Sequence, residues 1–298
     1  MNNYVIKTLD FSNYEIRKAV TELTNQVFEL NNDVNYLLTV TKTRNGKSLY
    51  LGCYFKEELV AVNIFIAHEL LINNTNVIAH QSCWSATIKE HRGNGLFIRL
   101  IENAKIILKQ NGSAFIFGFP NINSKGIFIK KLGFKEILIN KINIVVLINS
   151  FFSLNIFLRK INKSLIMDTK NSFIPIEAEL IELKTKINSS YIKVYSSSNN
   201  IIWGKKKYRK MFGKYISYFS VGGIQINKPS FLKTLFKEII KNENISFIQI
   251  VSVSNNSYLN IFRFIKKAPK TEPLIIFDLN IETTNNNFNF FSGIKDVF

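Results

Sequence analysis

The stretch from Ser82 to Phe134 constrains the fold of this chain more than any other. β-Branched and aromatic residues run from His80 to Ile88, a polar loop follows from Lys89 to Asn94, and Gly95 precedes apolar residues at helical spacing: Leu96, Leu100, Ile101, Ala104, Ile107 and Leu108. This order predicts a strand, a glycine loop and a helix. The loop would then lie at the helix N-terminus, where unpaired backbone N–H groups and the helix dipole attract an anion such as a pyrophosphate.

The next part of the chain adds a second set of signals. Gly112 ends the predicted helix, and residues 113–119 have the composition of a strand. Asn121 then opens a short helix that runs through Phe128 and stops at Gly133.

Taken in order, these residues resemble the motifs of the GNAT acyltransferase superfamily. The family's loop pattern, Gln/Arg-x-x-Gly-x-Gly/Ala, is matched by Arg92, Gly93, Asn94, Gly95 and Leu96, with Phe97 in place of the last small residue. The family's asparagine, small residue, aromatic residue and closing Gly-Phe are matched by Asn121, Ser124, Phe128, Gly133 and Phe134.

The resemblance implies a GNAT fold, which is α/β with a mixed sheet, and acetyl-CoA as co-substrate without a metal. By this resemblance, the pantetheine arm bonds to exposed backbone and the pyrophosphate lies on the N–H groups of the loop. The implied cofactor-binding residues are Ser85, Ala86, Thr87, Arg92, Gly93, Asn94, Gly95, Leu96, Phe97, Asn121, Ser124 and Phe128.

The resemblance also implies that an amine attacks the thioester directly, which requires a group to remove its proton. Gln81 stands where several relatives carry a catalytic glutamate, and Phe128 stands where many carry a tyrosine. An amide and a phenyl ring cannot take those roles. His80 and Glu69 on neighbouring strands are therefore the candidate bases, and proton removal by water is the alternative.

Composition narrows the class of protein. The 298 residues are 46% hydrophobic, enough for a sizeable core. The net charge of +18 comes from lysines scattered along the chain, so no nucleic-acid partner is predicted. Cys53 and Cys83 form no CxxC pair, and the start of the chain is polar. These features predict reduced thiols, no signal peptide and a cytoplasmic location.

The second half repeats the first in outline. Residues 231–241 have the pattern of a helix, residues 246–253 that of a strand, and a new Asn/Ser turn opens at Asn255. The uncharged run from Ile142 to Leu158 is too short and too often interrupted by polar residues to predict a transmembrane helix. We therefore predict a catalytic GNAT domain at residues 1–148 and a degenerate GNAT-like domain at residues 149–298 that shapes the acceptor cleft.

The predicted activity is N-acetyl transfer from acetyl-CoA to a primary amine. The loop RGNGLF and the segment GFPN resemble members associated with surface-polysaccharide and amino-sugar pathways, which favours an amino sugar or sugar nucleotide as acceptor. Two alternatives remain open. One is N-acetylation of a peptide, protein or drug amine, and the other is a non-catalytic module that binds CoA.

Overall fold

The computed structural model describes residues 4–137, 140–147, 172–188, 192–211, 213–226, 229–254, 273–291 and 294. Contacts divide the chain into two compact units. Unit 1 comprises Met1–Leu70, Asn76–Ile137 and Pro273–Thr284, and unit 2 comprises Leu71–Thr75, Leu138–Glu272 and Asn285–Phe298. These limits differ from the predicted boundary at residue 148, because each unit includes a segment that is distant in sequence.

The described strands are β1 (Tyr4–Thr8), β2 (Leu49–Phe55), β3 (Glu58–Ile72), β4 (Thr75–Thr87), β5 (Phe115–Gly118), β6 (Lys135–Ile137), β7 (Asn140–Leu147), β8 (Ser172–Pro175), β9 (Ile192–Ser197), β10 (Asn200–Met211), β11 (Lys214–Gln225), β12 (Phe247–Ser254), β13 (Leu274–Asp278) and β14 (Asn287–Phe291). The described α-helices are α1 (Tyr14–Phe28), α2 (Tyr36–Thr41), α3 (Leu96–Gln110), α4 (Ile122–Lys130), α5 (Glu177–Asn188) and α6 (Pro229–Glu243).

Unit 1 is built on a mixed sheet. Strand β2 pairs antiparallel with β1 and with β3, whereas β4 runs parallel to β5. Strand β13 lies between β5 and β6 and is antiparallel to both. Helix α3 connects β4 to β5, as parallel neighbours require a crossover. The predicted α/β class with a mixed sheet is confirmed.

Helix α3 supplies much of the core of unit 1. Its predicted apolar face is buried against residues of β2 and β3, and the members that pack there are Leu96, Leu100, Ile101, Ala104 and Leu108. The helix can bury this stripe because apolar residues three and four positions apart share one face. Its packing fixes the position of the helix N-terminus, at residue 96, relative to the sheet.

Unit 2 repeats the same order of elements. Strands β9, β10 and β11 form an antiparallel meander, α6 follows, and β12 pairs parallel with β11. Helix α6 and strand β12 coincide with the helix and strand predicted at residues 231–241 and 246–253. The turn predicted at Asn255 lies outside the described residues.

Strand β7 belongs to unit 2, although it directly follows β6 in sequence. It pairs antiparallel with β12 from Asn140 to Leu147 and therefore includes the start of the uncharged run at Ile142–Leu158. Residues 148–158 of that run lie outside the described residues. Within the described part of the chain, the structure has no helix long and apolar enough to cross a membrane.

Candidate functional site

The loop between β4 and α3 leaves a helix N-terminus open. After a single 3-10 turn at Lys89–His91, the chain passes through Gly93 at φ 82° and Gly95 at φ 68°. These left-handed conformations favour glycine. Gly95 is the N-cap residue, and it gives the helix no side-chain hydrogen bond. The first N–H groups of α3 are therefore available to an anion, and the helix dipole adds partial positive charge there.

Polar side chains hold this loop in shape. Arg92 Nε donates to the carbonyl oxygen of Thr87 at 3.0 Å, and Asn94 Nδ2 donates to that of His91 at 3.1 Å. A Cβ atom placed on Gly93 or Gly95 would have no neighbour within 4 Å. The loop thus combines a fixed backbone with open space and an exposed arginine.

Strand β4 extends past β5 and leaves backbone beside the loop. The two strands pair at His80–Ile116 and Gln81–Phe117, and β5 ends at Gly118 whereas β4 continues to Thr87. The backbone of Ser85, Ala86 and Thr87 therefore lies beyond the end of β5. We name this region the β4–β5 cleft, and it contains the three residues for which backbone contacts are predicted.

A buried asparagine connects two serines along this cleft. Asn63, in the middle of apolar strand β3, is fully buried. Its Oδ1 accepts a hydrogen bond from Ser85 Oγ at 2.8 Å, and its Nδ2 donates to Ser82 Oγ at 3.3 Å. Burial of an amide is costly unless it is hydrogen-bonded, so these contacts hold both hydroxyl groups in place. This network was not predicted from the sequence, although a lone Asn in an apolar strand is a signal that could have indicated it.

Asn121 caps helix α4 on the side of its N-terminus. Its Oδ1 accepts from the N–H groups of Asn123 and Ser124, each at 3.0 Å, and from Ser124 Oγ at 3.1 Å. The cap orients the exposed Asn121 side chain, whose NH₂ group carries donors for a ligand. Ser124, predicted as a cofactor contact, hydrogen-bonds to the Asn121 side chain in the structure.

Phe128, predicted as a cofactor contact, lies in the core. Its ring packs edge-to-face on Phe97 at 5.2 Å and on Phe134 at 4.8 Å between centroids, and only 5% of the residue is exposed. Phe97 in the loop motif is thus explained, because its half-buried ring fills space beside Phe128. Leu96 is also buried, so both loop residues offer backbone only.

His80 is engaged away from the cleft. Its Nε2 lies 2.9 Å from the carbonyl oxygen of Lys47, to which it must donate, so Nδ1 accepts from the hydroxyl of Ser113 at 2.8 Å. Burial lowers the pKa of His80 to about 4. The ring borders a pocket of about 570 Å³ formed where β4 and β5 begin, at the opposite end of β4 from the glycine loop. This geometry disfavours His80, one of the two predicted candidates, as the base.

Glu69 and Gln81 do not supply a base at the cleft either. Glu69 lies four positions before the Asn73-Asn74 turn that joins β3 to β4, which places it about 20 Å along the hairpin from Ser85. This distance disfavours Glu69, the other predicted candidate, as the base. Gln81 is buried, and its Oε1 lies 3.1 Å from His68 Nε2.

Trp84 has a conformation that the sequence did not reveal. It adopts φ 49° directly before Ser85, and a positive φ is a genuine outlier for a bulky residue. Its indole makes edge contacts with Phe28 of α1 and Tyr36 of α2, at centroid distances of 5.9 Å and 6.0 Å. Strained residues of this kind cluster at functional sites. We name Phe28, Tyr36 and Trp84 the aromatic cluster.

Comparison with known proteins agrees with this geometry. Residues 13–137 match the family model of the acetyltransferase (GNAT) domain. Two solved structures resemble nearly the whole chain: a GCN5-related N-acetyltransferase from Kribbella flavida (10% identity, TM-score 0.62, 93% of this chain and 71% of that chain covered) and Eis1 from Mycobacterium abscessus (11% identity, TM-score 0.60, 93% and 74% covered). A GCN5-related N-acetyltransferase from Anabaena variabilis is similar to the same degree (11% identity, TM-score 0.60, 93% and 73% covered). A search of curated protein sequences finds no match.

Residues 13–137 carry the GNAT fold. At such low identity, the solved structures support the fold and nothing finer. The matched GNAT segment ends at Ile137, the last residue of β6, whereas the compact unit also includes Pro273–Thr284. The GNAT unit of this protein therefore includes a strand from the far end of the chain. The described residues of the protein contain no cluster of His, Cys, Asp and Glu that could hold a metal ion.

Proposed function

We propose that this protein transfers an acetyl group from acetyl-CoA to a primary amine. The observation that carries the proposal is the open N-terminus of α3, together with the β4 backbone that continues past the end of β5 in the β4–β5 cleft. An anionic pyrophosphate suits the first site, and an extended amide-bearing arm suits the second.

The residues present fit such a co-substrate. Gly93 and Gly95 leave the loop unobstructed, so the N–H groups of residues 93–97 can approach phosphate oxygens. The N–H group of Arg92 instead donates to the carbonyl oxygen of Lys89 at 3.2 Å. The backbone of Ser85 to Thr87 would bond to the pantetheine amides, and the Asn121 amide would donate to the same arm. Acetyl-CoA supplies the activated acyl thioester, and the protein supplies position and hydrogen bonds.

Proton removal would proceed without a strong side-chain base. His80 is neutral and fully engaged, and Gln81 cannot accept the proton of an ammonium group. The hydroxyl groups of Ser82 and Ser85 lie along the cleft on Asn63, where they can order a water molecule. Backbone N–H groups of β4 would stabilise the developing oxyanion. The rate should then follow the fraction of the acceptor amine that is unprotonated.

An amino sugar or sugar nucleotide is the acceptor that we favour. The aromatic cluster includes Trp84, the β4 residue that directly precedes Ser85. The apolar face of a sugar ring can pack on aromatic side chains of this kind. The sequence resemblance of the loop RGNGLF to members of amino-sugar pathways points the same way. A peptide, protein or drug amine is the second candidate, because an aromatic wall also accepts such groups.

The test combines cofactor binding with turnover. Purified protein is titrated with acetyl-CoA in a calorimeter and then assayed for thiol release against amino sugars, their nucleotides, amine drugs and peptides. Each acceptor has its N-acetylated form as a matched control, which should give no release. Turnover of an amino sugar supports the proposal. Binding without release on any amine would favour a CoA-binding module, and absence of binding would refute the proposal altogether.

A further inference from the structure

The segment Pro273–Thr284 fills a gap in the sheet of unit 1. We name the gap between β5 and β6, which residues 13–137 leave open, the slot. Strand β13 pairs with β5 from Ile275–Gly118 to Asp278–Phe115 and with β6 from Leu274–Ile137 to Ile276–Lys135. Strands β5 and β6 are neighbours of β13 rather than of each other. Without β13, each would present unpaired backbone groups along one edge.

The segment is part of the core of this unit. Leu274, Ile275 and Ile276 are fully buried, and Ile275 packs in the cluster formed by α3 and the sheet. The ring of Phe277 contacts Phe134 at a centroid distance of 5.4 Å, and Lys105 Nζ lies 4.0 Å from the same ring centroid. Side chains on both faces of the strand are therefore engaged.

Polar contacts set the register of the segment. Lys135 Nζ pairs with Asp278 Oδ2 at 2.8 Å. Asn280 Nδ2 donates to the carbonyl oxygens of Lys109 and Ser113, at 3.0 Å and 2.8 Å. The N–H groups of residues 279–281 all point to the carbonyl oxygen of Ala114, at 3.1 to 3.2 Å. These bonds reach the end of α3 and the residue that precedes β5.

The segment also supports one wall of the β4–β5 cleft. Ile275 is the register partner of Gly118, the last residue of β5. A Cβ atom on Gly118 would lie 3.6 Å from Ile275 Cγ1 on one side and 3.6 Å from the carbonyl oxygen of Ser82 on the other. The backbone of β5 at this point is thus held between the segment and β4.

Residues 273–284 of this chain fill the slot between β5 and β6. We propose that this slot is a separable strand-binding site and, as a second part that rests on the proposed function, that the cofactor cleft forms only when the slot is filled. The buried apolar side chains, the Lys135–Asp278 pair and the Asn280 bonds all favour residues 273–284 as the occupant. The cofactor site of unit 1 therefore depends on a segment that follows nearly all of unit 2 in the chain.

The test uses the full-length protein with Ile275→Asp, which places a charge in the core of unit 1. Ile106→Asp on the outer face of α3 is the matched control, because 59% of Ile106 is exposed. Hydrogen exchange is followed by mass spectrometry on peptides covering β5, β6 and the β10–β11 hairpin. Ile275→Asp should accelerate exchange in β5 and β6 at least about tenfold and leave β10–β11 protected, and the control should match the wild type.

A synthetic peptide of residues 273–284 is then added to the Ile275→Asp protein. It should restore protection of β5 and β6, and a peptide that itself carries Asp at position 275 should not. If Ile275→Asp aggregates, Ile275→Ala gives the same comparison with a smaller opening. Unchanged exchange in β5 and β6, or loss of protection that the peptide does not reverse, would overturn the proposal. A wild-type dimer that the peptide dissociates would also overturn it, since the occupant would then be a second copy.

A calorimetric titration with acetyl-CoA connects the slot to the cleft. The affinity of Ile275→Asp should fall at least about tenfold and recover with the peptide, because a loose β5 no longer holds one wall of the cleft. An affinity equal to that of the wild type would refute the second half of the proposal. If the wild type itself does not bind acetyl-CoA, the proposed function fails, whereas the strand-binding site is still decided by the exchange experiment.

Discussion

Gly95 offers the sharpest test of the anion site at the start of α3. The residue is the N-cap at φ 68° and ψ 17°, and a side chain added there would meet no atom within 4 Å. The steric cost of substitution is therefore confined to the backbone, roughly 1 kcal/mol for most side chains and less for Asn or Asp, which tolerate the left-handed region. We compare Gly95→Asp with Gly95→Asn, which have nearly the same shape and both supply an oxygen to the helix N-terminus.

The difference between these variants isolates the charge. A carboxylate about 4 Å from a phosphate charge costs about 1 kcal/mol in water and about 4 kcal/mol at the effective dielectric constant near a protein surface. Because about 1.4 kcal/mol corresponds to a tenfold change, Gly95→Asp should bind CoA roughly fivefold to a thousandfold more weakly than Gly95→Asn. Both variants should melt within a few degrees of the wild type.

Calorimetric titration with CoA at two salt concentrations measures this difference. The gap between the two variants should narrow at about 1 M salt, where the Debye length is about 3 Å, relative to about 0.1 M, where it is about 10 Å. Equal dissociation constants for Gly95→Asp and Gly95→Asn would show that no anion binds at the loop. A gap that does not respond to salt would point to a steric cause and would refute the electrostatic reasoning.

Three further predictions concern a buried histidine, the aromatic cluster and a buried glutamate. Because the pKa of His80 is lowered to about 4, the folded state resists protonation, so this residue should reduce the stability of the wild type by up to about 3 kcal/mol as the pH falls from about 6.5 to 4. His80→Gln should remove that pH dependence in denaturant titrations and change turnover less than about tenfold, and a loss of 10² or more would restore His80 as the base. Trp84→Gly suits the positive φ at this position and removes the indole from the aromatic cluster. It should raise the KM for the acceptor about tenfold and leave the dissociation constant of acetyl-CoA within about twofold. An equal effect on both constants would contradict the inference that the aromatic cluster contacts the acceptor. Burial raises the pKa of Glu177, which accepts a hydrogen bond from Trp203 Nε1, to about 7. The stability from its raised pKa is complete below about pH 4.5 and is lost as the pH rises through 7, so Glu177→Gln should be more stable than the wild type at pH 8 by up to about 3 kcal/mol, and a difference that is the same at pH 4 and pH 8 would contradict this assignment.

The sequence alone determined the elements whose signals are local. The apolar spacing from Leu96 to Leu108 predicts α3 and its buried face, because a helix places residues three and four apart on one side. The glycines of the loop were recognisable for a similar reason, since Gly93 and Gly95 supply the left-handed backbone that closes the turn. The alternation between strands and helices likewise indicated the mixed α/β class.

Only the tertiary structure decided which residues meet at the site. Phe128 matches a motif position and His80 directly precedes one, at Gln81. In the structure His80 faces Lys47 and Ser113 and Phe128 faces the core, because side-chain direction depends on what packs against each strand and helix. The sequence also did not predict which strand β13 pairs with. An apolar run such as Leu274–Asp278 predicts a strand but carries no local information about its partner, and the partner here, β5, lies more than a hundred residues earlier in the chain. Pairing across such a separation is decided by the fit of buried side chains and backbone hydrogen bonds in the folded unit.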